Sequence, residues 1–191
     1  MRTMEQQRCA WANVSELDKE YHDNEWGVAI HDDNRLFEIL SLEGAQAGLS
    51  WTTILKKREG YRQAFYGFDI DRVCQMTEHD IERLVINPEI VRHRGKIESV
   101  INNAQQLRII QTEFGSVDAF FWRYVDNRQI VNHWQKMSEL PSSTDLSKQI
   151  SKDLKKRGFK FVGPTTVYAF MQAAGLVDDH LQHCPAKKKS A

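Results

Sequence analysis

The chain has 191 residues, of which 41% are hydrophobic and 27% are charged. This composition is typical of a globular protein and excludes both a disordered and a fibrous one. Lys plus Arg and Asp plus Glu number 26 each, so the formal net charge of zero excludes nucleic-acid binding by bulk positive charge alone. No stretch reaches the roughly 18 consecutive apolar residues of a membrane span. The first residues are polar and lack the apolar core of a signal peptide, so we expect a cytoplasmic protein with no membrane partner.

Helical periodicity runs through nearly the whole chain. Apolar residues mark one helix face from Asp33 onward, Ser50 is placed to cap the next helix, and residues 77–80 resemble a capping box. The clearest helix includes Ile97 to Leu107, where apolar residues recur at helical spacing. No segment shows a sustained period of two, and we therefore predict an all-α fold.

The domain organisation that we expect is a single domain over residues 1–191, built as two helical lobes that share a cleft. The turn-forming residues 141–144 are the best candidate for a boundary between the lobes. A hairpin of two helices is predicted at about 147–175, with Gly175 at its end. The tail 185–191 is rich in lysine, and we expect it to be mobile.

The joint between the two hairpin helices is bounded by Gly158 and Gly163, and Pro164 then opens the second helix. The first-turn amides of a helix have no intrahelical partner and lie at its positive end, so such a joint can bind a DNA phosphate. Lys160 and neighbouring basic residues supply charge, and Thr165 keeps the first turn polar. The alternative is an ordinary corner between two helices, in which glycine serves only the turn.

Basic residues cluster in three places along the chain, at 56–58, 92–96 and 155–160. A run of charges is usually a solvated helix face, and that is the interpretation we favour for any one of these clusters taken alone.

Cysteine and histidine form two pairs that lie almost a whole chain apart. Cys9 and His22 lie near one end, and His180 and Cys184 near the other. Two cysteines and two histidines suit tetrahedral zinc, and four protein ligands leave no open position, so the metal is structural in this interpretation. The alternative is surface histidines with buried cysteines, and His183 is a competing ligand that the spacing leaves open. The third cysteine, Cys74, is interpreted as core.

Several long segments together resemble the bacterial 3-methyladenine DNA glycosylase I family. The resemblance covers roughly residues 7–184, and the matching stretches are 9–11, 21–28, 42–51, 55–58, 92–97, 154–163, 170–173 and 175–180. It implies an all-helical enzyme of the helix-hairpin-helix superfamily that excises 3-methyladenine from alkylated double-stranded DNA. It also implies a structural zinc that joins the two ends of the chain through Cys9, His22, His180 and Cys184.

The resemblance further implies an aromatic pocket for a base that has been flipped out of the duplex, since the target atoms are unreachable inside the stack. The pocket residues carried over from the family are Trp11, Tyr21, Trp26, Glu43 and Trp51. A carboxylate accepts from the exocyclic amine of adenine, and both it and the aromatic faces favour a cationic base. Glu43 is therefore the candidate catalytic residue, which recognises the base and can also steer the water.

The residues expected to contact DNA lie in two places. The loop that contains Gln46, Gly48 and Leu49 is expected to enter the gap left by the flipped base, with Leu49 as an apolar wedge. The alternative for Leu49 is a core position. In the hairpin, Lys160, Gly163 and Thr165 are expected to hold a phosphate.

The reaction expected is hydrolysis of the glycosidic bond without strand cleavage, by a monomer. One rival is a broader specificity for alkylated purines on the same scaffold. Another is a lesion-binding module without catalysis. A zinc hydrolase is disfavoured, because four matched ligands fill the coordination sphere of the metal.

Overall fold

The computed structural model describes residues 7–187, and this part of the chain is predominantly helical. Its α-helices are α1 (Glu16–Asn24), α2 (Asp33–Ala45), α3 (Trp51–Ala64), α4 (Ile70–Val73), α5 (Glu78–Leu84), α6 (Arg94–Phe114), α7 (Val117–Trp122), α8 (Asp145–Lys156) and α9 (Pro164–Ala173). Short 3-10 helices lie at Ala10–Val14, Tyr66–Phe68, Arg123–Val125 and Met137–Glu139. The expectation of a helical chain is confirmed, with one small exception.

The exception is a pair of two-residue strands, β1 (Ile130–Val131) and β2 (Val177–Asp178). They pair in parallel, with Ile130 opposite Val177 and Val131 opposite Asp178. Two residues are too few to produce an alternating pattern, so this pair cannot be predicted from periodicity. It ties the segment after α7 to the segment after α9.

The helix starts follow the local capping chemistry. Asp32 precedes α2, and the Ser50 side chain accepts from the amide of Thr53 at 3.2 Å at the start of α3. At α5 the Thr77 amide donates to the Asp80 carboxylate at 2.8 Å, which completes the predicted capping box. These contacts are local, and this is why the sequence predicts them.

Helix α2 lies at the centre of the molecule. Every residue from Leu36 to Ala45 is buried, so this helix is covered on all sides, as expected of a core helix. It contacts α9, α6 and α3. Glu43 lies in its last turn, and burial of the whole helix therefore carries this carboxyl group into the interior.

Helices α8 and α9 pack against each other and form the predicted hairpin. Ile150 and Leu154 of α8 are fully buried and belong to the hydrophobic core. Gly175 ends the hairpin with a φ of +75°, and a Cβ there would come within 2.4 Å of the carbonyl carbon of Val28. Glycine is therefore required at this position for both its backbone conformation and its close approach.

The C-terminal tail departs from its expected mobility. Ala186 and Lys187 are both buried. The Lys187 ammonium donates to the carbonyl of Asn132 at 2.5 Å and to that of His180 at 3.3 Å, and these bonds hold the tail on the protein. The expectation is wrong for these two residues, because backbone carbonyls of the folded chain satisfy the lysine ammonium in place of solvent. Residues 188–191 lie outside the described part of the chain.

Among residues 7–187, none of the helices has both the length and the apolar character that crossing a membrane requires.

Candidate base pocket and metal centre

A cavity of about 360 Å³ lies between α1, α2, the start of α3 and α9. The five residues expected to bind a base all line it, and they are Trp11, Tyr21, Trp26, Glu43 and Trp51. These residues come from four helices and the loop after α1, spread over 41 positions, and burial of α2 together with the packing of α1 on α3 brings them together.

Aromatic rings form the walls of this cavity. The rings of Trp11 and Trp26 meet edge to face with centroids 5.1 Å apart, and those of Tyr21 and Trp51 are tilted at 5.4 Å. Trp11 and Trp51 are half-buried, so each still has a face or edge open to the cavity. Flat apolar surfaces in this arrangement suit a planar heterocycle.

Glu43 is the acidic group of the cavity. It is 7% exposed, and burial raises the pKa of its carboxyl group to about 8. Within the described chain no hydrogen bond or ion pair of its carboxyl group is found, so nothing offsets the loss of solvent. Such a group favours its neutral form until a cation or a hydrogen-bond donor enters the cavity.

Two donors in the cavity wall also lack partners within the described chain. They are the hydroxyl of Tyr21 and the indole nitrogen of Trp51, both of them buried atoms. Burial is the main cause that raises the pKa of Tyr21 well above its usual value, and nearby Glu43 adds to it. Buried donors without partners cost about 1–3 kcal/mol each, so they are expected where a ligand will satisfy them.

Arg58 fixes the back of this wall. Its guanidinium donates to Glu38 at 3.0 Å and to Glu25 at 2.8 Å, and lies 5.9 Å from the centre of the Tyr21 ring. It thereby links α1, α2 and α3. The interpretation of residues 56–58 as a solvated face is wrong for Arg58, which is buried in an ion-pair network.

The cavity has further lining residues that the sequence did not indicate. They are Gln46, which was expected only as a DNA contact, and Met137, Leu140, Pro141, Ala169 and Gln172. Three of them come from the segment before α8, and one of these three, Pro141, belongs to the turn at 141–144 for which a lobe boundary is predicted. A turn pattern says nothing about which cavity the turn covers, so no sequence signal was available for these residues.

The loop between α2 and α3 lies at the mouth of the cavity. Gly48 has a φ of +78°, with nothing within 4 Å of the position of a Cβ. Leu49 is 38% exposed, so its alternative assignment to the core is wrong. Gln46, Gly48, Leu49 and Thr165 line one surface depression together, and the loop therefore lies beside the start of α9.

Lys96 of α6 holds this loop from behind. Its buried ammonium donates to the carbonyls of Ala45 at 2.8 Å and Ala47 at 2.6 Å, and burial lowers its pKa. A cation at the end of a helix also satisfies carbonyls that have no intrahelical partner. Residues 92–96 therefore contribute a buried structural lysine as well as surface charge.

The hairpin joint exposes the groups expected to hold a phosphate. Lys160 and Thr165 are exposed, and Gly163 precedes α9 without a side-chain cap on its first amides. Asn103 of α6 fixes the joint, because its amide accepts from the Lys160 N–H and donates to the Lys160 carbonyl, both at 2.9 Å. The joint is thus held rigid while its outer surface stays open.

Beneath the cavity the two ends of the chain meet in a cluster of candidate metal ligands. The ligand atoms of Cys9, His22 and Cys184 lie within 4.8 Å of one another, and all three residues are buried. Hydrogen bonds from Cys9 and His22 lower the pKa of the Cys184 thiol to about 3. A buried thiolate beside two further soft donors suits a divalent metal such as zinc.

His180 lies next to this group, with its ring centre 5.0 Å from that of His22. Its Nε2 is buried and has no hydrogen-bond partner within the described chain, while its Nδ1 lies 2.8 Å from the carboxylate of Asp178. His22 repeats the arrangement, with Nδ1 at 2.8 Å from Asp23 and Nε2 toward Cys184. A carboxylate on Nδ1 that leaves Nε2 free is the usual setting of a metal-binding histidine. The competing ligand His183 is exposed.

The metal cluster and the aromatic cavity share a wall. Trp26 packs edge to face on His180 with centroids 4.8 Å apart, and Trp11 packs on His22 at 5.3 Å. Gly27 leaves room for this packing, since a Cβ there would lie 2.7 Å from the His180 ring. Any disturbance of the histidines therefore reaches two walls of the cavity.

The chain was compared with known proteins. The sequence profile of the methyladenine glycosylase family matches residues 11–188. The DNA-3-methyladenine glycosylase 1 of Escherichia coli (strain K12) is 51% identical over 179 residues, which cover 93% of this chain and 95% of that protein. The DNA-3-methyladenine glycosylase of Haemophilus influenzae is 46% identical over 180 residues, covering 94% and 97%.

Solved structures agree with these relatives. The 3-methyladenine DNA glycosylase I of Staphylococcus aureus, solved to show how that enzyme recognises 3-methyladenine, superposes with a TM-score of 0.93 at 44% identity, covering 97% of this chain and 98% of that one. The structure of a tyrosine-to-phenylalanine variant of 3-methyladenine DNA glycosylase I, in complex with 3-methyladenine, gives a TM-score of 0.92 at 44% identity, covering 95% of this chain and 97% of that one. With a family profile over nearly its whole length and relatives at about half identity, the chain belongs to the methyladenine glycosylase family.

Proposed function

We propose that this protein is a monofunctional DNA glycosylase that flips 3-methyladenine out of alkylated double-stranded DNA and hydrolyses its glycosidic bond. The observation that carries the proposal is the cavity, in which four aromatic residues surround a buried carboxyl group without a partner in the described chain. The names of the relatives agree with this activity. The rest of the mechanism follows from the charge of the lesion.

Methylation at N3 gives the base a positive charge while it is still attached to the sugar. When the bond between the base and C1′ breaks, its electron pair stays with the base, which leaves as a neutral molecule. Water adds its oxygen to C1′ and releases a proton to solvent. Because the leaving group needs no added proton, the protein has only to select the cation, orient it and admit water.

Glu43 selects the cation in this proposal. As the lesion enters, its positive charge favours the carboxylate form of Glu43, and the exocyclic amine donates to that carboxylate. The faces of Trp11 and Trp51 add cation–π attraction, which is worth about 0.5–2 kcal/mol. The Tyr21 hydroxyl, which has no partner within the described chain, supplies a donor for a ring nitrogen of the base. Normal adenine brings no charge and gains less from each of these groups.

Leu49 fills the gap left by the flipped base in this proposal. We expect Leu49→Ala to lower excision from duplex DNA by about tenfold, because burying a leucine side chain is worth about 1.5–3 kcal/mol. Binding of free 3-methyladenine should not change, since the wedge never touches the base in its pocket. Leu17→Ala is the matched control, because Leu17 is 39% exposed on α1 and lies outside the cavity. Equal loss in both variants would remove the wedge from the mechanism.

Lys96 holds the loop between α2 and α3 in place for the insertion of Leu49, through its hydrogen bonds to the carbonyls of Ala45 and Ala47. We expect Lys96→Met to slow excision from duplex DNA by about tenfold and to lower stability by about 1–3 kcal/mol, because two buried carbonyls lose their donor. Excision kinetics and thermal unfolding of the same preparation measure the two effects. Full duplex activity in the folded variant would show that the loop needs no support from α6.

The hairpin holds the duplex by its backbone. Lys160 is exposed, the first amides of α9 have no side-chain cap at Gly163, and Thr165 lines a surface depression together with Leu49. A phosphate held there needs no base contact, so the hairpin contributes affinity without sequence preference.

A structural zinc ion completes the proposal. Cys9, His22, His180 and Cys184 are the residues that hold it, and the buried Nε2 of His180 without a partner in the described chain supports the fourth ligand. When bound, the ion provides a crosslink between the two ends of the chain, and with four protein ligands it takes no part in the reaction.

Incubation with methylated duplex DNA tests the proposed reaction. Abasic sites that appear without strand breaks, until alkali is added, support a monofunctional glycosylase. Breaks formed by the protein alone would indicate a lyase. Tight binding of the lesion with no abasic sites would indicate a lesion-binding module.

A further inference from the structure

Asp179 is a buried carboxylate whose acceptor capacity is full. Asn132 and the Trp134 indole donate to its Oδ1 at 2.7 and 2.9 Å. Tyr168 and Gln172 donate to its Oδ2, the latter at 2.9 Å. A carboxylate offers about four acceptor positions, and these four donors occupy them. These four bonds leave Asp179 without a free lone pair, and the residue is also fully buried. Asp179 therefore cannot activate a water molecule.

The bond from Gln172 to Asp179 decides which way the glutamine amide faces. A carboxylate can only accept, so the amide nitrogen must be the group that meets Asp179. The carbonyl oxygen of Gln172 is then the free end. Gln172 is half-buried and lines the cavity, and within the described chain its carbonyl oxygen has no hydrogen-bond partner.

The cavity therefore contains two acceptors, of which only the second is held in one orientation by a hydrogen bond within the described chain. One is the carboxyl group of Glu43, and the other is the carbonyl oxygen of Gln172. Gln46 also lines the cavity, but no hydrogen bond fixes its amide within the described chain, so it can present either end. A purine with an amine at position 6 has two exocyclic N–H donors, whereas a 6-oxo purine presents an acceptor there and would meet like groups.

We propose that Gln172 is a specificity-determining residue that accepts the second N–H of the exocyclic amine, and that Asp179 is the positioning residue that keeps its carbonyl turned into the cavity. This inference rests on the proposed function and names the chemical feature that the site reads. It gives the site a preference for 6-amino over 6-oxo purines that is independent of the charge of the lesion.

Binding of two free bases to the full-length protein tests this inference directly. Tryptophan fluorescence reports binding of 3-methyladenine and of 3-methylhypoxanthine, which differs by an oxo group in place of the amine. We expect Gln172→Met to weaken 3-methyladenine binding by about three- to tenfold, the equivalent of one neutral hydrogen bond, and to leave 3-methylhypoxanthine binding unchanged or stronger. Gln182→Met, an exposed glutamine outside the cavity, is the control. An unchanged ratio in folded Gln172→Met protein would overturn the proposal.

Two further variants test the role of Asp179. In Gln172→Glu the side chain keeps its acceptors but has no N–H for Asp179, so we expect it to lose the preference as Gln172→Met does. Retained or stronger 3-methyladenine binding in Gln172→Glu would show that the anchor is unnecessary. Asp179→Asn should lower the preference in the wild-type background and add nothing to Gln172→Met. Additive losses would contradict a role exerted through Gln172.

The free-base measurement separates this inference from the proposed function. If methylated DNA yields no free base, the enzyme proposal fails, yet the ratio of the two free-base affinities still tests Gln172. If Gln172→Met slows release from DNA while both free-base affinities stay constant, Gln172 holds the attacking water and the amine-reading proposal is wrong.

Discussion

Replacing Glu43 by glutamine is expected to slow release of 3-methyladenine from methylated DNA by about 10- to 100-fold. Glutamine keeps the length of the side chain and one acceptor but loses the negative charge. A hydrogen bond that involves a charged group is worth about 1.5–3 kcal/mol, and the loss of this charge-assisted bond to the cationic base sets the magnitude. Single-turnover release by wild-type and Glu43→Gln protein measures it. Full release by the variant would show that the charge of Glu43 has no role.

The pH dependence of the same reaction gives an independent test. Burial raises the pKa of Glu43 to about 8, so its carboxylate form becomes dominant only above that pH in the ligand-free protein. At low lesion concentration we therefore expect the rate of release by the wild type to rise between about pH 6 and pH 9 and then level off. Glu43→Gln should show no such rise, and an identical profile in both proteins would place the titrating group elsewhere.

Glu43 should also cost stability at high pH. Its carboxyl group keeps its proton in the folded state over a pH range in which the unfolded chain, with an ordinary pKa of 4.5, has released it. Stability from this group therefore falls as pH rises from the unfolded toward the folded pKa. We expect Glu43→Gln to be more stable than the wild type by about 2–4 kcal/mol above pH 8, measured by chemical denaturation. Equal stability there would contradict the burial argument.

Loss of the metal is expected to lower the stability of the whole protein and to weaken base binding in the cavity. We expect removal of zinc by a chelator, or Cys184→Ser, to cost about 3–5 kcal/mol, which lowers Tm by roughly 6–20 °C for a chain of this size. Because Trp26 and Trp11 pack on His180 and His22, binding of free 3-methyladenine should weaken together with stability. Thermal unfolding, metal content and base binding of the same preparations measure these effects.

The chain provides matched controls for the metal experiment. Cys74→Ser should keep the metal, because Cys74 lies outside the cluster, at the C-cap of α4. His180→Ala should lose the metal, whereas the exposed His183→Ala should retain one ion per chain. A full metal content in His180→Ala would show that the fourth ligand is another residue or a water molecule. An unchanged Tm without metal would contradict a structural role.

Local chemistry made much of the helical framework predictable. Ser50 caps α3 and Thr77 caps α5 through contacts within three residues, and such contacts are visible in the sequence. The spacing of Cys9, His22, His180 and Cys184 alone left metal binding undecided, since the two pairs lie almost a chain length apart. The resemblance to a family supplied the link, and the structure brings the two ends together.

Long-range burial of polar groups was the part that the sequence could not show. Arg58 and Lys96 lie in basic runs that are typical of solvated faces, and only the packing of distant helices places them inside. The two neighbouring aspartates present the same difficulty, since both are fully buried and only the structure assigns Asp178 to the His180 ring and Asp179 to the Gln172 amide. A carboxylate next to a candidate metal ligand in sequence is not necessarily its hydrogen-bond partner.

Chromatographic identification of the bases freed from methylated duplex DNA is the most direct test of the proposed activity. The zinc-loaded wild-type protein should release 3-methyladenine and leave 7-methylguanine in the same DNA, while Glu43→Gln should release far less of the first and none of the second. Release of both bases by the wild type would show that the enzyme has a broad specificity for alkylated purines and is not specific for 3-methyladenine. A folded, zinc-loaded wild-type protein that frees neither base would contradict the enzyme proposal.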